Sequence, residues 1–168
     1  MTRVHTFGLN LDRDKALERI QVYNVNKGAM SSPTTYFSVA DRRNNRWVNV
    51  QLVQVSQSPG SSESGLAQAW VRDLNRDGRA EIAVRDFVTP SVGEVLSIYR
   101  QRTARSLQFS KLQTIVGDQI TIAGGKAPVG WKVLIKANHG PDGLTHHEVW
   151  SWKSGPKRWL CTTDCVPR

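Results

Sequence analysis

The chain has 168 residues, 39% of them hydrophobic and 22% charged, which excludes a disordered polymer and is enough for one domain with a real core. Its formal charge of +9 and pI of about 10.1 favour encounters with polyanions such as nucleic acid, anionic glycans or acidic membrane surfaces. No stretch approaches the roughly 18 consecutive apolar residues of a membrane helix, and the start Met1-Thr2-Arg3-Val4-His5 lacks the apolar region of a secretory leader.

Helical periodicity is weak throughout. Residues 10–18 carry Asn10, Asp12 and Asp14 at alternate positions and Glu18 four further on, and Ile20–Val25 then alternates as a strand does. A Gly/Ser/Pro loop over Lys27–Pro33 leads to Tyr36–Ala40, a polar turn over Asp41–Arg46, and the strand Trp47–Val55. The pair reads as a β-hairpin with a bulge between Leu52 and Val53, where the period slips. Ser56–Gly65 is a flexible connector and marks a boundary between units.

The stretch Asp73-Leu74-Asn75-Arg76-Asp77-Gly78-Arg79-Ala80-Glu81 carries the clearest chemistry. Alternate oxygens on a tight loop can converge on one centre, and Gly78 can take the positive φ such a turn needs. A hard cation with six to eight oxygen ligands, calcium above all, suits that cage. The loop departs from an EF-hand, which places a bidentate Glu at position twelve and a helix after it. Counting from Asp73, the twelfth residue is Val84, and Ile82-Ala83-Val84 reads as strand.

This loop and its β context resemble the calcium loops of FG-GAP/VCBS-type, integrin-like repeats. The resemblance implies Ca2+ held by side-chain oxygens of Asp73, Asn75, Asp77 and Glu81 and by the carbonyl of Arg79. The earlier loop is a weaker second site: Asn10, Asp12, Asp14, Ala16 and Glu18 match the pattern at an offset of 63. Asn10 replaces the first carboxylate there, and Lys15 stands where Gly78 stands, so this copy can also be a loop shape without an ion.

A turn around Pro90, Ser91 and Gly93 leads to Glu94–Arg100, a polar turn through Arg105, and Ser106–Leu112. This hairpin overlays the first at an offset of 59: Ser38/Ser97, Val39/Ile98, Arg43/Arg102, Arg46/Arg105, Val48/Leu107, Asn49/Gln108 and Val50/Phe109. Two more strands, Gln119–Ile122 and Trp131–Lys136, flank the Gly124-Gly125 loop. Asn138–Gly143 is a turn, followed by a third hairpin of Glu148–Lys153 and Arg158–Cys161 around Gly155-Pro156.

The expected fold is one all-β domain over 1–168. Its repeat units are 8–57 and 66–116, with a partial third over 117–168, forming a compact barrel or sandwich. A partial β-propeller that assembles into an oligomer is the alternative, since a propeller needs at least four blades.

Other constellations are weaker. Cys161 and Cys165 form either a disulfide at the chain end, which implies an oxidising compartment, or two reduced thiols; their spacing lacks the second Cys/His pair of a zinc site. His146 and His147 are adjacent on a strand and face opposite sides, so with His139, Asp142 and Glu148 they do not make a metal site. No nucleophile elbow is present, and Gly124-Gly125-Lys126 is no P-loop. Trp47, Trp150, Trp152 and Trp159 read as core rather than as a stacking platform. Arg42, Arg43, Arg46, Arg102 and Arg105 cluster on two hairpin turns.

The expected function is that of an extracytoplasmic (secreted, periplasmic or cell-surface), calcium-stabilised domain that binds a protein or glycan and does no chemistry. A basic module for nucleic acid or anionic glycan, through the five arginines, is the alternative. A cytoplasmic location stays open, as does an oligomer. An enzyme has no residues to name.

Overall fold

A computed structural model describes residues 2–14, 16–25, 33–57, 66–89, 93–124, 131–139 and 144–166. These hold eleven strands and no helix: β1 Thr2–Leu9, β2 Glu18–Val25, β3 Thr34–Arg43, β4 Arg46–Gln57, β5 Leu66–Arg72, β6 Glu81–Thr89, β7 Gly93–Gln101, β8 Phe109–Ala123, β9 Lys132–His139, β10 Thr145–Lys153 and β11 Arg158–Thr163. Every strand pairs antiparallel with its chain neighbour, in a four-stranded sheet β1–β4 and a seven-stranded sheet β5–β11. Neither sheet closes on itself, so the barrel form of the expectation is not met; the two-sheet form is.

The inward faces follow the strand period. Ile20 and Val22, then Phe37 and Val39, then Val53 and Val55 turn to one side and meet Val71, Ile82, Val84, Tyr99 and Phe109 from β5–β8. Phe37 packs edge-on against Tyr99 and Phe109, with centroids 4.9 and 6.2 Å away. The other face of β5–β8 offers Trp70, Ala83, Leu96, Ile98 and Ile115 to a second core. Ile120, Ile122, Val133, Ile135, Trp150 and Trp159 complete that core from the end of the chain. β5–β8 is therefore the middle layer, buried on both faces. This explains why Glu81-Ile82-Ala83-Val84 is a continuous buried run rather than an alternating one.

The third layer exists because β8 bends. Its first half pairs with β7 as far as Gly117, and its second half pairs with β9 from Asp118 onward. A Cβ on Gly117 would lie 2.6 Å from the Ile135 side chain, so the corner requires glycine. Gln119, two residues on, has φ 52°. The fold-back is sealed by Gln113, whose carboxamide donates to Trp159 O and accepts from Trp159 N, each at 2.9 Å. Gln51 does the same between the first two layers, donating to Phe109 O at 2.8 Å and accepting from Phe109 N at 2.7 Å.

Three expectations change. β1 and β5 are strands that the pattern did not mark. No irregularity separates Leu52 from Val53, which pair in step with Ser38 and Phe37; the shifts lie at Val50 and Val55, each skipped by the ladder. The separate strands Ser106–Leu112 and Gln119–Ile122 are the two ends of β8, which starts at Phe109. The Lys27–Ser32 loop, the Ser58–Gly65 part of the connector, Pro90 and Ser91, Gly125 and the 140–143 part of the expected turn lie outside the described residues.

Candidate metal centre

Two loops occupy equivalent places, one between β1 and β2, the other between β5 and β6. In each, a run of short Asx turns sets the backbone. Asp12 Oδ1 accepts the N–H of Asp14 at 3.1 Å and Asp14 Oδ1 that of Ala16 at 2.6 Å. In the second loop Asn75 Oδ1 accepts the N–H of Asp77 at 3.0 Å and Asp77 Oδ1 that of Arg79 at 3.1 Å. Each donor and acceptor of the second set lies 63 positions after its counterpart in the first. So do the left-handed residues Arg13 (φ 67°) and Arg76 (φ 61°).

Each loop is pinned below by a leucine and a glutamate. Leu11 is 4% and Leu74 1% exposed, and Glu18 and Glu81 are fully buried. The N–H of Leu11 bonds Glu18 Oε2, and that of Leu74 bonds Glu81 Oε2 at 2.8 Å. The ladders end alike, on Leu9 opposite Glu18 and Arg72 opposite Glu81.

The remaining carboxylate oxygens distinguish the loops. In the first, ligand oxygens of Asp12, Asp14 and Glu18 all lie within 4.8 Å of one another. Glu18 Oε1 is buried and has no hydrogen-bond partner among the described residues. Burial raises the Glu18 carboxyl; the Leu11 N–H pulls it back, and the Asp12 charge raises it further. A buried acceptor left empty is costly, and three carboxylates this close repel unless something positive joins them. A divalent cation fits that donor set. Asn10 is exposed and spends its amide on the carbonyl of Asp14; Lys15 lies outside the described residues.

In the second loop the same oxygens are answered from within the chain. Asp73 accepts the N–H of Asp77 at 3.1 Å and of Gly78 at 2.8 Å. Gly78 has φ 81°, the conformation expected of it. Glu81 Oε1 accepts from Asn75 Nδ2 at 3.1 Å. Arg100, on β7, forms an ion pair with Asp77 and holds its Nε 3.5 Å from Glu81 Oε1. Burial pushes the Glu81 carboxyl up to about 8, with the Leu74 N–H working against it. The Arg79 N–H is spent on Asp77 and its guanidinium donates to Arg102 O at 3.2 Å.

Arg100 was invisible as a site residue because only register reveals it. Glu81 pairs with Arg100 across β6 and β7. In the first sheet Arg19 pairs with Ala40, which puts Asp41, 8% exposed, next along opposite Glu18. The 59-residue offset expected for this hairpin relates Asp41 to Arg100. The offset holds for the outgoing strands and fails for the returning ones. Ala40 pairs with Asn49 but Tyr99 with Lys111, so the partners in the β7–β8 hairpin lie three residues further apart along the chain. Val48/Leu107, Asn49/Gln108 and Val50/Phe109 are therefore not equivalent pairs.

Against protein-family models, curated proteins and solved structures, the chain has no match.

The other expected sites fall as follows. Cys161 and Cys165 are joined in a disulfide. His146 is buried and meets Asp164 at 3.0 Å, while His147 is exposed on the opposite face; Asp142 lies outside the described residues. Trp150, Trp152 and Trp159 belong to the second core. Trp47 does not: it is 41% exposed and lies under the guanidinium of Arg19, 4.5 Å away. Arg42, Arg43 and Arg46 are exposed at the β3–β4 turn, and Arg102 and Arg105 at the β7–β8 connection. Arg43 is partnered by Asp41 at 2.6 Å.

Proposed function

We propose that this chain is a calcium-stabilised, extracytoplasmic β-domain of FG-GAP/VCBS type that binds another macromolecule and does no chemistry itself. Its three layers are then three stacked repeat units, the third lacking an acidic loop. The observation that carries the ion is the fully buried Glu18 carboxylate, gathered with Asp12 and Asp14 and carrying one oxygen without a hydrogen-bond partner among the described residues. On this reading the first loop, the weaker of the two by sequence, is the ion's place. Calcium would draw together Asp12, Asp14 and Glu18 and so tie β1 to β2, with Leu11 fixing the loop to the core. The Cys161–Cys165 disulfide supports an oxidising compartment. The test is thermal unfolding in millimolar calcium and in chelator: the wild type melts higher with calcium, and Asp14→Asn melts at the chelator value in both. A calcium response that survives Asp14→Asn and Glu18→Gln together rejects the site.

A second reading, a polyanion-binding module, has one observation in its favour. An open groove of about 850 Å³ beside the first loop and the β3–β4 turn is lined by Arg19, Arg42, Asn44 and Trp47, with Phe7 and Glu18 among others. Arg19 Nε is buried there with no hydrogen-bond partner among the described residues, while its guanidinium lies over Trp47. Heparin retention that falls steeply with salt supports it; passage through the column unretained at low salt removes it.

A further inference from the structure

Over their described residues the two loops share the same Asx turns and one buried glutamate, yet differ in what stands opposite that glutamate. In the first sheet the position belongs to Asp41, an anion already engaged by Arg43. In the second it belongs to Arg100, a cation. Arg100 is held from three sides: by Asp77, by Glu81 at 3.5 Å, and by the face of Trp152 in the third layer, 5.4 Å from its guanidinium carbon. Its side chain is 14% exposed, so it is a fixed part of the interior edge and not a surface charge.

A guanidinium presents several donors in a plane and keeps its charge on burial. It can therefore satisfy two carboxylates at once, which is the task a divalent ion performs by coordination. The difference in the orphaned atom follows. Glu81 Oε1 accepts from Asn75 and has the Arg100 charge 3.5 Å away, an ion-pair contact in which Arg100 Nε makes no hydrogen bond among the described residues; Glu18 Oε1, its counterpart, has no hydrogen-bond partner among them.

We propose that Arg100 is a tethered counter-ion: its guanidinium takes, in the second loop, the place that a divalent cation takes in the first, so that the chain binds one ion and not two. The count of one rests on the calcium reading of the first loop; the role of Arg100 does not. Removing the guanidinium turns the second loop into a metal site, because Asp73, Asn75, Asp77 and Glu81 are then left without a cation on a backbone already shaped for one.

The test is calorimetric titration of the chelator-stripped full chain with calcium alone. The wild type gives one site, lost in Asp14→Asn and kept in Asp77→Asn. Arg100→Met gives two sites, and the added one disappears when Asp77→Asn is combined with it. Arg100→Lys, which restores a positive charge, gives one. Should Arg100→Met unfold in chelator, millimolar calcium refolds it. The proposal is overturned if Arg100→Met gains no site while folded, if calcium fails to refold it, or if the wild-type ion is lost in Asp77→Asn. A wild type without any site, beside an Arg100→Met variant with one that depends on Asp77, removes the first-loop reading and leaves the role of Arg100 standing.

Discussion

The loop after β1 and the loop after β5 are built from the same turns, the same left-handed residue and the same leucine–glutamate pin, and they end in opposite electrostatic states. One gathers three carboxylates, one of which carries a buried oxygen without a hydrogen-bond partner among the described residues. The other has an arginine in ion-pair contact with its carboxylates. The lesson is that the backbone of such a loop does not depend on what neutralises it. Asx turns and an apolar pin hold the shape; the partner strand supplies, or fails to supply, the charge.

The largest expected effect tests whether the pins are equivalent. Leu74→Ala removes a side chain 1% exposed in the second core and costs about 3 kcal/mol, within the usual range for such cavities. Leu11→Ala, at 4% exposure, costs a similar amount in calcium. Urea unfolding of both variants measures this; a loss below about 1 kcal/mol for either breaks the likeness between the loops. Next, Arg100→Met in chelator destabilises by about 1–3 kcal/mol, because Asp77 and Glu81 lose their charged partner. In calcium the loss is smaller, and the difference between the two urea curves separates charge from packing.

The shared left-handed residue sharpens the comparison. Arg13→Gly and Arg76→Gly both relieve a positive φ and raise stability by up to about 1 kcal/mol. Gly78→Ala, at φ 81° with open space around it, lowers stability by about 1 kcal/mol for the converse reason. Opposite signs for Arg13→Gly and Arg76→Gly in thermal melts would show that the loops differ in backbone after all.

The smallest effect lies away from both loops and serves as a control. Asp164 accepts the N–H of His147 at 2.6 Å and meets His146 at 3.0 Å. The His147 N–H, then the His146 side chain, hold its carboxyl below the ordinary 3.8. A depressed acid contributes stability above its unfolded value and loses it as pH falls through the folded one. The chain end therefore loosens only below about pH 3.8, seen as loss of protection at the His147 amide, whether or not calcium is present.

Some of this was legible in the sequence and some was not, for physical reasons. The loops and the hairpins of β3/β4 and β10/β11 announced themselves because their periodicity reflects one buried face. β1 did not: only Phe7 and Leu9 of its described side chains pack against the core, with polar residues between them. β8 read as two strands because Gly117 and Asp118 look like a break, whereas the glycine is there to let Ile135 approach. The first loop was ranked below the second since Asn10 and Lys15 spoil the pattern. Arg100 was seen as the last residue of the strand Glu94–Arg100 and not as a site residue, because the pairing of Glu81 with Arg100 depends on register that no local spacing encodes. The two cysteines allowed either a disulfide or free thiols, and the structure joins them.

The most direct measurement is a crystal grown with calcium, or with a lanthanide in its place, examined for anomalous scattering at both loops. One peak among Asp12, Asp14 and Glu18, with the Arg100 guanidinium still against Asp77 and Glu81, is the result expected. A peak between Asp73 and Glu81 with Arg100 swung aside, or none at either loop, would contradict the account.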